Sequence, residues 1–127
     1  MVNRLCEARG LEDRNRLLAA VLDREHKLST GIGCGLAVPH AKVDFLDQMC
    51  IVACSVKRGL DFNALDKQPV YLLFLIVSPS STTGPHIRAL SAISRILSDA
   101  DIRKNLIDAA TPEEFYSRLK TGENKYS

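Results

Sequence analysis

The stretch Pro69-Val70-Tyr71-Leu72-Leu73-Phe74-Leu75-Ile76-Val77 decides the fold. Its apolar run, Val70 to Val77, is about one strand long and far short of the roughly 20 residues a membrane span needs. Side chains on both of its faces are apolar, so it reads as a strand at the middle of a sheet covered on both sides. Upstream, Met49 to Val56 is apolar or small on both faces and predicts a second buried strand. Downstream, Ser78 to Gly84 predicts a loop. Pro85 suits the first helical position, and Ile87, Leu90, Ile93 and Leu97 lay down an apolar helix face. Another short helix holds Ile102, Leu106 and Ile107. A capping box at Thr111-Pro112-Glu113-Glu114 opens a last one, which buries Phe115 and Leu119 before a frayed polar tail from Lys120.

Toward the start, Leu36 to Val38 is a short extended segment, because Pro39 holds Val38 away from helical angles. Ser29-Thr30-Gly31-Ile32-Gly33-Cys34-Gly35 before it predicts no regular structure. Leu17, Leu18, Val21 and Leu22 form one face of a helix running to about Lys27. Leu5 and Cys6 precede Gly10, a helix end with glycine just past it. Helices, then strands, then helices, with no linker or repeat between them, predict one α/β sandwich over 1–127.

A chain of 127 residues supports one domain with a core and not two comfortable ones. Hydrophobic residues at 46% and charged residues at 25% fit an ordinary soluble domain. The net charge of +2 comes from well-mixed residues with no basic stripe. The aromatic residues are three Tyr and four Phe without Trp, which argues against nucleic-acid binding. Met1 to Gly10 lacks the apolar segment of a signal peptide, and no stretch predicts membrane insertion. Cys6, Cys34, Cys50 and Cys54 contain no C-x-x-C pair, so reduced thiols in a cytoplasmic protein are expected, with no zinc or redox site.

The three histidines differ in setting. His26 lies near the end of the first long helix between Glu25 and Lys27 and is read as a solvated surface residue. His40 follows a glycine-rich loop and a short strand, with Pro39 stiffening the backbone before it. Two readings of it stand side by side, a rigid accessible nucleophile or a partly buried histidine bonded to a backbone carbonyl. His86 falls in the first turn of the helix after the strongest strand, where free N–H groups and the positive dipole end would hold an anion. The same dipole should lower its pKa and keep it neutral, able to donate to a phosphoryl oxygen; a simple first-turn residue is the alternative. Both histidines sit at carboxyl-side ends of predicted strands, where open α/β sheets place their sites. Neutral imidazoles, one nucleophilic and one donating, suit phosphate transfer without metal. No carboxylate cluster like a magnesium site accompanies them, and no cofactor or metal is expected.

Arg24-Glu25, Ser29-Thr30-Gly31-Ile32-Gly33 and Gly35-Leu36-Ala37-Val38-Pro39-His40-Ala41 closely resemble the IIA domains of the phosphoenolpyruvate-dependent sugar phosphotransferase system, in its fructose/mannitol branch. That branch includes the nitrogen-regulatory IIA proteins. Asp61-Phe62-Asn63-Ala64-Leu65-Asp66 before Pro69-Val70 resembles the family's hairpin, and His86-Ile87 followed by Leu90 its second histidine motif. The resemblance spans about 24–119. It implies a three-layer α/β/α sandwich around a central mixed sheet, without the strand with which relatives usually begin. That departure would leave a sheet edge open to another chain or to an oligomer.

The resemblance also implies that His40 takes a phosphoryl group through Nε2 from an HPr-type carrier and delivers it to a IIB domain, with His86 as supporting histidine. Arg24 aligns with an active-site arginine whose guanidinium stabilises phosphoryl oxygens; by sequence alone a solvated helix charge fits it equally. Cys34 stands where relatives often carry Asn and lacks a basic neighbour that would make it a catalytic thiol. The expectation is therefore a phosphohistidine carrier feeding a sugar transporter. The rivals are a nitrogen-type regulator whose phosphorylation controls its binding to target proteins, a scaffold that only binds, and a hydrolase using Cys34 or His40.

Overall fold

In the computed structural model the described residues are 1–10, 14–27, 31–62, 64, 66–81 and 84–125, with backbone only at 26, 27, 31 and 32. Ser29, Thr30, Asn63 and Leu65 of the motifs above, and the side chain of His26, lie outside them. Along the chain run α1 (Val2–Arg9), α2 (Arg14–Lys27), β1 (Gly31–Gly33), β2 (Leu36–Ala37), β3 (His40–Val43), β4 (Cys50–Leu60), β5 (Val70–Pro79), α3 (Gly84–Ile96), α4 (Ala100–Ile107) and α5 (Pro112–Lys125).

The central strand is where its two apolar faces require it. Every residue of β5 except Tyr71 is buried, and it pairs with β2 and β3 on one side and β4 on the other. Leu36 pairs with Leu72 and His40 with Ile76, both in parallel, so β2 and β3 continue one register across Val38-Pro39. Proline has no N–H for the ladder. Its carbonyl still accepts from Ile76 N–H at 2.9 Å, which keeps the chain aligned through the break. β4 and β1 run antiparallel to their neighbours, and the sheet is mixed.

Alternation along β5 divides the core. Leu72, Phe74 and Ile76 pack with Ile93 and Ile96 of α3, and with Ile102 and Leu106 of α4. Leu75 and Val77 face the other way, against Leu5 and Cys6 of α1 and Leu17 and Val21 of α2. At about 1.5–3 kcal/mol per buried large apolar side chain, each face supplies several such contributions. The architecture is the three-layer α/β/α sandwich around a mixed sheet.

Several local expectations change. Gly31–Gly33 forms β1, because the left-handed Cys34-Gly35 turn folds it back on β2. β4 is an edge strand among the described residues, with Ile51 and Leu60 each 42% exposed. Leu22 and Ile87 point outward, beyond the width of sheet that each helix covers. Ser78 belongs to β5 and is buried. The end of α5 stays helical to Lys125, since Gly122 packs against Ile102 and Lys125 Nζ meets Asp99 Oδ2 at 2.9 Å.

Candidate functional site

His40 opens β3 immediately after the proline break, half-buried, with Ala41 turned into the α2 side of the core. Its place is therefore the start of a strand and not the end of one, set by Pro39 splitting β2 from β3. His40 Nδ1 lies 2.9 Å from the Val38 carbonyl oxygen. A carbonyl only accepts, so Nδ1 carries the proton of the neutral ring and Nε2 keeps its lone pair. The bond to a backbone carbonyl is the second of the two local readings, and with Nδ1 so engaged the ring's remaining lone pair is on Nε2.

His86 lies in the first turn of α3 and is 5% exposed. The two rings are 5.1 Å apart between centroids and inclined at 62°, an edge-on arrangement. Ser78 Oγ is 2.8 Å from His86 Nδ1. The His86 pKa lies below its ordinary value. Burial is the largest cause, and Lys42 and the neighbouring His40 ring add to it, because a second positive charge beside either group is disfavoured. The direction is the one expected from sequence, but the dominant cause is desolvation and not the helix dipole.

An open cleft of about 540 Å³ joins these groups, lined by Asp23, Arg24, His40, Lys42, His86 and Leu90. The structure thus brings Arg24, from α2, together with both histidines. Lys42 shares His40's face of β3, two residues on, and is exposed. Two cations beside a nucleophilic nitrogen and a neutral imidazole suit an incoming phosphoryl group, whose oxygens they can hold. Among the described residues no three His, Cys, Asp or Glu side chains are grouped to hold a metal ion.

Sequence reasoning did not single out Lys42 or Ser78. The period-2 alternation of a strand starting at His40 would have put Lys42 on the same face. A lone serine closing an apolar strand was the available sign for Ser78.

The chain is 36% identical over 107 residues to the fructose-specific EIIA component of Haloferax volcanii, covering 84% of this chain and 70% of that protein. The nitrogen regulatory protein IIA-Ntr of Neisseria meningitidis superposes with a TM-score of 0.79 at 29% identity, covering 84% of this chain and 73% of that one. Enzyme IIA mannitol of Escherichia coli, in its complex with phosphorylated enzyme IIB mannitol, shares the fold with a TM-score of 0.78 at 22% identity, over 94% of this chain and 82% of that one. The model of the family described as "Phosphoenolpyruvate-dependent sugar phosphotransferase system, EIIA 2" matches residues 1–122, and the chain belongs to that family.

Proposed function

We propose that this chain is a phosphoryl carrier that accepts phosphate on His40 from an HPr-type protein and passes it to a IIB domain. The observation that carries the reading is the His40 Nδ1–H donation to the Val38 carbonyl, which leaves Nε2 nucleophilic in a cleft with Arg24, Lys42 and His86. In the transfer, the Nε2 lone pair forms the new N–P bond while the bond from phosphorus to the donor's nitrogen breaks. The bonding electron pair returns to the donor ring. Nδ1 keeps its proton, so the phosphorylated ring carries positive charge beside the phosphoryl and remains a good leaving group for the next transfer. Catalysis is positioning plus charge stabilisation, with Arg24 and Lys42 placed for the equatorial oxygens and His86 as a neutral donor.

The same reading puts the chain in the cytoplasm with its partner proteins; among the described residues no helix is long and apolar enough to cross a membrane. Similarity to a nitrogen regulatory protein supports a second destination for the phosphate signal, a target protein bound according to phosphorylation state. Incubation with phosphoenolpyruvate, enzyme I and HPr, followed by intact mass, tests the carrier reading. The wild-type chain should gain one acid-labile phosphate and His40→Ala none. A phosphate that survives His40→Ala defeats it.

A further inference from the structure

We propose that Ser78 is a positioning residue for His86: its hydroxyl donates to His86 Nδ1 and fixes the neutral ring's proton on Nε2, which then donates to the phosphoryl group on His40. The catalytic half of this inference rests on the carrier reading above; the tautomer half stands on the geometry alone.

Ser78 is the ninth residue of β5, paired with Lys42 of β3, and its relative exposure is 0%. A buried hydroxyl hydrogen must find an acceptor, because leaving it without one forfeits its bond to water. Among the described residues, His86 Nδ1 at 2.8 Å is the acceptor the structure gives it, and no buried side-chain polar atom is left without a partner. The opposite arrangement has Nδ1–H donating to Ser78 Oγ. It would orphan the hydroxyl hydrogen in the core. It would also leave a lone pair on Nε2, which repels phosphoryl oxygens. Both costs point the hydroxyl toward Nδ1.

The two rings therefore carry complementary tautomers. The Val38 carbonyl holds the His40 proton on Nδ1 and frees Nε2 to attack. The Ser78 hydroxyl holds the His86 proton on Nε2 and makes it a donor. Their edge-on contact at 5.1 Å brings the attacking and donating rings side by side. Both anchors come from the sheet, one from the β2–β3 break and one from the end of β5, so the sheet sets both protons before any partner docks. The lowered pKa of His86 keeps the ring in the neutral form that this arrangement requires.

Nitrogen-15 NMR of the histidine-labelled chain above pH 7 reads the tautomer directly. The wild type should show His86 with an unprotonated Nδ1 that accepts a hydrogen bond and a protonated Nε2; the reverse pattern overturns the proposal without reference to phosphate. In Ser78→Ala the Nδ1 resonance should move as it loses its donor, and Ser78→Thr should restore it. For function, wild type and variants loaded to completion are mixed with an excess of IIB domain. Transfer from Ser78→Ala should be about tenfold slower, short of the roughly hundredfold that a misplaced group at a reacting centre can cost, and Ser78→Thr should recover most of the rate. Unchanged transfer in Ser78→Ala overturns the positioning role. Should Ser78→Ala not fold, the wild-type tautomer and the Ser78→Thr rate still decide. If wild type takes no phosphate on His40, the carrier reading fails while the tautomer result stands separately.

Discussion

Burial and charge act on His86 in the same direction. Its ring is in contact with Ser78 and His40, and protonation would place a cation in a desolvated position near His40 and Lys42. The folded pKa is below the ordinary 6.5, so the unfolded chain binds this proton more readily. Stability from neutral His86 is therefore fully present above about pH 6.5 and is lost as pH falls from there through the folded value. NMR titration of the His86 ring should give a midpoint below 6.5; a midpoint at or above it contradicts the burial argument. Cys34 shows the other side of residue-scale chemistry. It has φ 56 and Gly35 φ 75, the two left-handed central residues of the tight turn between β1 and β2. Asn-Gly is the favoured pair in such a turn, so Cys34 occupies a position whose backbone conformation suits Asn better than most residues.

At the scale of elements, ends matter more than middles. α1 stops at Gly10, which takes the left-handed conformation and bonds back to the Cys6 carbonyl. The capping box at α5 forms in part: Thr111 Oγ1 accepts from Glu114 N–H at 3.1 Å, while the Glu114 carboxylate accepts from Ala110 N–H at 2.9 Å, one residue earlier than the motif's ideal. Asp99 caps α4 by accepting from the N–H groups of Asp101 at 2.9 Å and Ile102 at 3.3 Å. Its ion pair with Lys125 adds little, since the lysine side chain is 62% exposed. Asp99→Ala should cost about 1 kcal/mol, mostly from the lost cap; urea unfolding measures it, and a change below a few tenths would show that the cap does not hold α4. The β2–β3 break is the feature that shapes the candidate site. One strand in one register is interrupted at Val38-Pro39, and the carbonyl before the proline becomes the acceptor that orients His40.

Over the whole molecule, β5 couples the two helical layers and the site. Phe74 is 2% exposed and faces α3 and α4, while Leu75 at 1% faces α1 and α2. Phe74→Ala should destabilise the fold by about 3–5 kcal/mol, as large-to-small changes in packed cores do. Denaturant unfolding checks this, and a loss under 1 kcal/mol would mean that the layer collapses into the space. Arg24 reaches the cleft from the layer below the sheet and His86 from the layer above it, so packing on both faces of β5 assembles the site.

The central strand is legible before any folding is known, because eight consecutive apolar side chains from Val70 to Val77 leave no solvent-tolerant face in either direction. The sequence also marked several helix ends, at Gly10, Pro85 and Thr111, through residues that act within a few positions, and it marked His40 and His86 by their local settings. What it did not show depends on neighbours distant in the chain. Met49 to Val56 has the composition of a buried strand, yet β4 lies at the edge among the described residues, because burial depends on how many strands flank it. Leu22 and Ile87 fit the apolar pattern of their helices but lie past the contact with the sheet. The Ser78–His86 bond joins residues eight apart across a strand end and a helix start, and the His40–His86 contact spans two elements. The partner of each ring's Nδ1 emerges only on folding, because it is chosen by how the sheet and helices pack.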